Sequence, residues 1–183
     1  PSSVLSNYEI LRDGRVLVTR SDGTTYVRAR IMLRQVANPG RLRSEGDGLY
    51  SGVGDAGLVT IEEGGSSVGH ISQGSVELLH ATRELLGTRR ELEFFQQGAL
   101  RRTGNVTDLA IAGRGFFVVR KPFDYEDSVT RRGRFRVNRD GLLVTPQGER
   151  VQGFVDPELT EIGDVKIDDC CKPMTSEPNS RMV

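Results

Sequence analysis

Hydrophobic and polar positions alternate with a two-residue period over much of the chain, in short runs separated by turn residues. Residues 8–11 and 15–19 flank Asp13-Gly14, and Asp22-Gly23 leads into a long alternating run over 25–36. Asp-Gly accepts the positive φ angles of a tight hairpin turn, so these three runs predict an antiparallel meander. In the third run Tyr26, Arg28, Arg30, Met32 and Arg34 share one face, and Val27, Ala29, Ile31, Leu33 and Gln35 the other. Only the second face reads as core. Asn38-Pro39-Gly40 ends that strand. Residues 41–57 read as loop, because Gly46, Gly48, Gly52 and Gly54 stand too close together for regular structure. A short strand over 58–62 precedes the flexible connection Gly64-Gly65-Ser66-Ser67.

One helix is predicted near residues 75–95, with Ser75 as its cap, Glu77 in its first turn, and Val76, Leu79, Leu86 and Phe94 at helical spacing. Gly87 weakens its middle. The strand pattern then returns over 109–112, 116–120, 129–131, 135–138, 142–145 and 150–155, with a further strand over 164–167. Asn138-Arg139-Asp140-Gly141 and Pro146-Gln147-Gly148 supply turns for a second meander. The expected fold is mainly β: antiparallel sheets and meanders forming one compact domain over 1–183, with the single helix and a variable, partly mobile stretch over 156–183.

Composition agrees with a turn-rich β chain. Hydrophobic residues make up 36% of the 183, with 22 glycines and no tryptophan. Lys plus Arg and Asp plus Glu are both 25, so no global charge draws nucleic acid or an anionic membrane. No apolar stretch reaches the length of a membrane span. No basic-then-apolar leader opens the sequence, so any export is expected to use a route without a cleaved signal peptide.

Enzymatic chemistry finds little footing. His70 and His80 are the only histidines, and neither belongs to a ligand pattern for a catalytic metal. Cys170 and Cys171 are neighbours, a poor start for a disulfide or a zinc site, and read as incidental thiols. No Gly-x-Ser-x-Gly elbow is present, and Gly113-Arg114-Gly115 lacks the third glycine and following helix of a dinucleotide site. The expectation is therefore no catalytic residue, no metal and no cofactor. A cluster of Arg131, Arg132, Arg134, Arg136 and Arg139 surrounds Phe135. On a strand Arg132, Arg134 and Arg136 fall on one face, and Phe135 and Val137 on the other, the pattern of a sheet with one wet side. Those three arginines are candidates for a partner-facing surface. A stand-alone binding module that uses them for an acidic or RNA partner is the alternative reading.

Residues 97–119 contain Thr103-Gly104-Asn105, then Asp108-Leu109-Ala110-Ile111, then Gly113-Arg114-Gly115-Phe116-Phe117. This ordered set resembles the central signature of bacterial flagellar hook and basal-body rod proteins. Thr130-Arg131-Arg132-Gly133-Arg134-Phe135, Asp140-Gly141-Leu142-Leu143-Val144-Thr145 and Arg150-Val151-Gln152-Gly153-Phe154 resemble the strands that follow it in that family. The earlier part of the chain resembles what normally comes later. Asp13-Gly14, Asp22-Gly23, Asn38-Pro39-Gly40 and Gly48-Leu49-Tyr50 match the family's second sheet segment, and Gly74, Val76 and Glu77 its "Gly-x-Leu-Glu" entry to the terminal helix. Residues 8–84 thus resemble the later half of the family pattern and 91–155 the earlier half, in reversed order. A circular permutation, natural or engineered, and a fragment across two tandem copies both account for this.

The resemblance implies a structural subunit of the flagellar rod, in the periplasm, or hook, at the cell surface, that stacks helically with other axial subunits and transmits torque. It implies Thr103, Gly104, Asn105 and Asp108 as the fixers of a turn, with Gly113, Gly115, Phe116, Phe117, Asn38, Pro39 and Gly40 as further structural motif residues. No nucleic acid and no membrane insertion are expected, and the isolated chain is expected to be a monomer, since the family's long terminal helices have no full counterpart here.

Overall fold

The structure, a computed structural model, describes residues 5–61, 68–78 and 97–167. Strands β1 (Leu5–Ile10), β2 (Arg15–Arg20) and β3 (Thr25–Ile31) form the predicted meander, turning at Asp13-Gly14 and Asp22-Gly23. The long alternating run is interrupted at Met32, and β4 (Leu33–Val36) continues it. Met32 is buried, against expectation, in a second apolar cluster with Val36, Val53, Phe116, Val118 and Val129. The sheet here is covered on both faces, so Met32 faces apolar cover on the side that reads as solvent from the alternation alone.

Residues 41–57 also depart from the loop reading. They contain a hairpin of β5 (Arg43–Gly46) and β6 (Leu49–Ser51). Asp47 and Gly48 between them have φ of 49° and 73°, the positive pair that a tight hairpin turn demands. One of the glycines that argued against regular structure is what allows it. Strand β7 (Leu58–Ile61) then pairs with β4.

The predicted helix over 75–95 is corrected at its start. Strand β8 (His70–Gln73) is followed by β9 (Ser75–Leu78), with Ser75, Val76 and Glu77 buried. Residues 79–95 of that prediction lie outside the described residues. Four residues carry too short a pattern to separate helix from strand. Pairing with a distant segment decides it: β9 is antiparallel to β10 (Ala99–Arg102), Ser75 opposite Arg102 and Leu78 opposite Ala99.

The remaining strands are β11 (Leu109–Ala112), β12 (Phe116–Arg120), β13 (Asp127–Thr130), β14 (Arg136–Val137), β15 (Leu143–Val144), β16 (Arg150–Phe154) and β17 (Ile162–Asp164). The last lies slightly earlier than the predicted 164–167, and Val165 and Ile167 follow it into the core. In the connection before it, the amides of Thr160 and Glu161 donate to Asp156 Oδ1 at 2.6 and 2.5 Å. The Glu161 amide, with help from Thr160, holds the Asp156 carboxyl below the usual carboxylate range.

Strands from both parts of the chain interleave. The main sheet runs β1-β2-β3-β16-β12-β13-β6-β5, so β3 lies beside β16, and β6 beside β13. Strand β4 also pairs with β12, and β8 with β11. Strand β12 is the hub, bonded to β4, β13 and β16, and its four apolar residues Phe116–Val119 are all buried. Phe116 and Val118 enter one cluster, Phe117 and Val119 the larger one opposite. Phe117 meets Phe135 edge to face at 5.1 Å.

Gly133 lies against β11. A Cβ there would fall on the Leu109 carbonyl, with Phe117 Cε2 also at 3.1 Å. Gly133→Ala is expected to destabilise by about 1–3 kcal/mol, the usual cost of overpacking. A lowered urea midpoint checks this, and an unchanged midpoint would mean that β11 can shift away.

Candidate functional site

The chemistry-bearing residues of this fold collect where β9 meets the segments around β11 and β13, and what they build is a clasp. Among the described residues no group of three or more His, Cys, Asp or Glu is placed to hold a metal ion. His70 is exposed on β8, while His80, Cys170 and Cys171 lie outside the described residues.

The turn of residues 103–108 ties itself together before it ties anything else. Thr103 Oγ1 donates to Asp108 Oδ2 at 2.7 Å, and Asn105 Nδ2 donates to Asp108 Oδ1 at 3.4 Å. The Asn105 amide donates to Thr103 Oγ1, and Asn105 Oδ1 accepts from Thr107 Oγ1 at 3.1 Å. Short polar side chains of this kind replace backbone partners in tight turns. So fixed, the turn grips the start of β9. The amides of Thr103 and Gly104 donate to the Gly74 carbonyl at 2.8 and 3.1 Å, and the Gly74 amide donates to the Asp108 carbonyl at 2.8 Å.

Beside it is a buried ion pair. Arg131 Nε donates to Glu77 Oε2 at 2.8 Å and Arg131 Nη2 to Glu77 Oε1 at 3.0 Å, with side-chain exposures of 3% and 0%. The rest of the guanidinium is used as well: Nη1 donates to the Gly115 carbonyl at 2.8 Å and Nη2 to the Gly113 carbonyl at 3.0 Å. Glu77 Oε1 accepts a further bond from the Gly98 amide at 2.6 Å. The guanidinium carbon lies 5.7 Å from the Phe116 ring centroid. Desolvating two charges is costly, and only a set of bonds this complete offsets it. Gln97 finishes the seam, donating from Nε2 to the Ile111 carbonyl at 2.8 Å and accepting from the Gly113 amide at 2.5 Å.

Gly113 and Gly115 let the chain pass close to residues 68–69. Gly113 has φ of 152°, and a Cβ on it would collide with Gly69 Cα. The Gly115 amide donates to the Val68 carbonyl at 2.8 Å. Asn38, Pro39 and Gly40 lie away from this seam: Pro39–Arg41 is a single 3-10 turn, anchored by the Asn38 amide on the Ala56 carbonyl at 3.0 Å.

The three candidate partner-facing arginines are exposed, and Phe135 between them is buried. Only Arg136 stands in a strand, and they do not act as one patch. Arg132 Nη1 approaches Asp47 at 3.7 Å, and Arg136 Nη2 donates to the Pro146 carbonyl at 3.3 Å. Arg134 has no side-chain hydrogen bond or ion pair among the described residues. What sequence reasoning missed is the role of Arg131, grouped there with its exposed neighbours. The signal was its phase: Arg131, Gly133 and Phe135 share the inward positions of the alternation, and an inward arginine requires a buried acid.

Two surface features adjoin the seam. An open cleft of about 400 Å³ has Leu49, Val76 and Leu78 among its lining, with Lys121, Arg132 and Arg134. The β12–β13 connection, which starts at Lys121, carries Phe123 and Tyr125 at 99% and 96% exposure. Its turn is closed by the Asp124 amide on the Lys121 carbonyl at 3.1 Å, with Phe123 at φ 65°. A left-handed conformation costs a non-glycine residue roughly 1–2 kcal/mol.

Comparison with known proteins places this seam in context. Residues 110–177 match the flagellar hook protein FlgE/F/G D1 domain. The chain is 36% identical over 84 residues to the flagellar hook protein FlgE of Helicobacter mustelae, covering 46% of this chain and 18% of that protein. It is 42% identical over 71 residues to the flagellar basal-body rod protein FlgF of Caulobacter vibrioides, covering 36% of this chain and 28% of that one. With the rod protein FlgG of Buchnera aphidicola the identity is 42% over 60 residues, 33% of this chain and 23% of the relative. The matched stretches span well under a third of these curated relatives. No solved structure matches.

Proposed function

We propose that this chain, which belongs to the flagellar hook and rod protein family through its D1 segment, is a structural subunit, or part of one, of the axial tube that carries torque from motor to filament. The observation that carries the reading is the D1 match over residues 110–177, the stretch that supplies β12, β16 and Arg131. A part that transmits torque needs stiffness rather than turnover. Sheets covered on both faces and a buried ion pair with several supporting hydrogen bonds supply it. The role is mechanical, the location is the bacterial flagellum, and the partners are other axial subunits. Thr103, Gly104, Asn105 and Asp108 serve by fixing the turn that holds β9. An isolated chain is a monomer at micromolar concentration.

The two family segments stand in reversed order in this chain, and the ladders β3–β16, β4–β12 and β8–β11 support their working as one body. Two experiments test the reading. An antibody raised against the chain is expected to label the axis of hook–basal bodies isolated from the source cells; labelling confined to other fractions would end the structural assignment. A re-ordered chain, residues 85–183 followed by 1–84, is expected to unfold as one cooperative transition like the original. If only one order does so, the permutation is wrong.

A further inference from the structure

The β9–β10 ribbon is fastened to the rest of the molecule differently at its two ends. No strand ladder joins it to another sheet, since β9 pairs with β10 and β10 with β9 alone among the described residues. Core packing does not tie it in either. Its buried apolar residue, Val76, belongs to neither apolar cluster, and Leu78 and Leu100 stand 40% and 41% exposed. At the base the fastening is backbone: the amides of Gly74 and Ser75 donate to the Asp108 carbonyl at 2.8 and 3.3 Å. The chain passes there through Gly74 and Gly104, with φ of 71° and 75°. Both have open space where a side chain would be, the nearest atoms to a Cβ on Gly74 being those of Gly104 at 3.9 Å. At the far end the described bonds run through side chains, Glu77 to Arg131 and Gln97 to the Ile111 carbonyl and the Gly113 amide. Alongside is the open cleft of about 400 Å³, lined by Val76, Glu77 and Leu78 of the ribbon together with Leu49, Gly133 and Pro146. On that side the ribbon borders space rather than packed side chains.

We infer that the β9–β10 ribbon is a hinged strap, released from the body by turning about Gly74 and Gly104, with the Glu77–Arg131 pair as its latch. An element held by few buried apolar contacts opens at a lower free energy than the core it lies on. Glycines supply the freedom that a hinge needs, because a few residues must absorb the whole change in φ and ψ. The ion pair makes the motion two-state rather than gradual. Half-opened, it would strand two buried charges, whereas closed it is satisfied, and fully opened both charges reach water. At the far end of the strap Leu78 lies opposite Ala99, so the chain leaves toward residue 79 and returns at residue 97 from the same place. The latch therefore decides where those two neighbouring chain ends are held against the body. Such a strap goes beyond the axial role and does not depend on it.

Distances between two spin labels in the full chain test it, with Cys170 and Cys171 changed to serine. Labels at Leu100→Cys and Asp140→Cys, both exposed, span strap and body; labels at Glu9→Cys and Asp140→Cys span the body alone. With the latch intact each pair is expected to give one dominant distance. Glu77→Gln should raise the released population relative to the latched one by roughly a hundredfold, the scale of an unpaired buried charge, and so add a second distance to the strap pair. The body pair should keep its single distance. Arg131→Lys covers the case in which Glu77→Gln does not fold: it keeps a cation for Glu77 but loses the two-pronged grip, and should show the same second distance at a smaller population. A strap distance unchanged in both variants, or a body pair that broadens in step with it in both, would overturn the hinged strap. Antibody labelling of hook–basal bodies is decided separately, so the tubular role can fail while the strap stands, and the reverse.

Discussion

Glu77→Gln is expected to lower the stability of this protein by about 3–5 kcal/mol, because it leaves the Arg131 guanidinium buried without its counter-charge. The size follows from the geometry. Arg131 is 3% exposed and donates to both Glu77 oxygens, and no other acid among the described residues pairs with it. Urea unfolding followed by circular dichroism reads the loss. Arg131→Met should cost a similar amount, since it strands the Glu77 carboxylate and frees the Gly113 and Gly115 carbonyls. The double variant should cost clearly less than the sum of the two, by on the order of 2 kcal/mol, because the second change removes a charge that the first left unpaired. Additive losses, or a single-variant loss under about 1 kcal/mol, would show that the pair does not clasp the two segments.

Phe117→Ala is expected to cost about 3–5 kcal/mol, the range for emptying a fully buried aromatic site. Phe117 is 0% exposed, lies on the hub strand β12, and stacks edge to face on Phe135. Its neighbours are held by ladders on both sides of β12, so the site cannot collapse to fill the void. Phe123→Ser is the internal comparison. The same residue type at 99% exposure should change the unfolding free energy by no more than about 0.5 kcal/mol in either direction. Equal losses at the two positions would contradict the placement of either ring.

Much of this architecture is legible in the amino-acid order where local signals and tertiary demand agree. Strands β11 and β12 have the bounds that the apolar runs Leu109–Ala112 and Phe116–Arg120 predict, and Asp13-Gly14 and Asp22-Gly23 mark real turns. Ambiguity enters where a short segment is decided by a distant one. Ser75-Val76-Glu77-Leu78 fits a capped helix start as well as a strand, and only β10 tips it. Met32 reads as solvent-facing because alternation shows two faces but not which of them is covered. The Glu77–Arg131 pair was the hardest to see. Its members are far apart in sequence, and each has an ordinary local reading: an acid in a first helical turn, an arginine in a basic cluster. The turn of Thr103, Asn105 and Asp108 was easier because its bonds are local.

The interleaving of strands bears on how the molecule reaches this state. Strand β3 stays an open edge until β16 has been synthesised, and β4 waits in the same way for β12. Only local pairings such as the opening meander, the β5–β6 hairpin and β4 with β7 can close early. Folding governed by such distant pairings is slow, because much chain freedom is lost before the central contacts repay it. Nascent chains therefore hold unpaired apolar strands in the open for much of translation, the interval in which an escort that covers them would matter most.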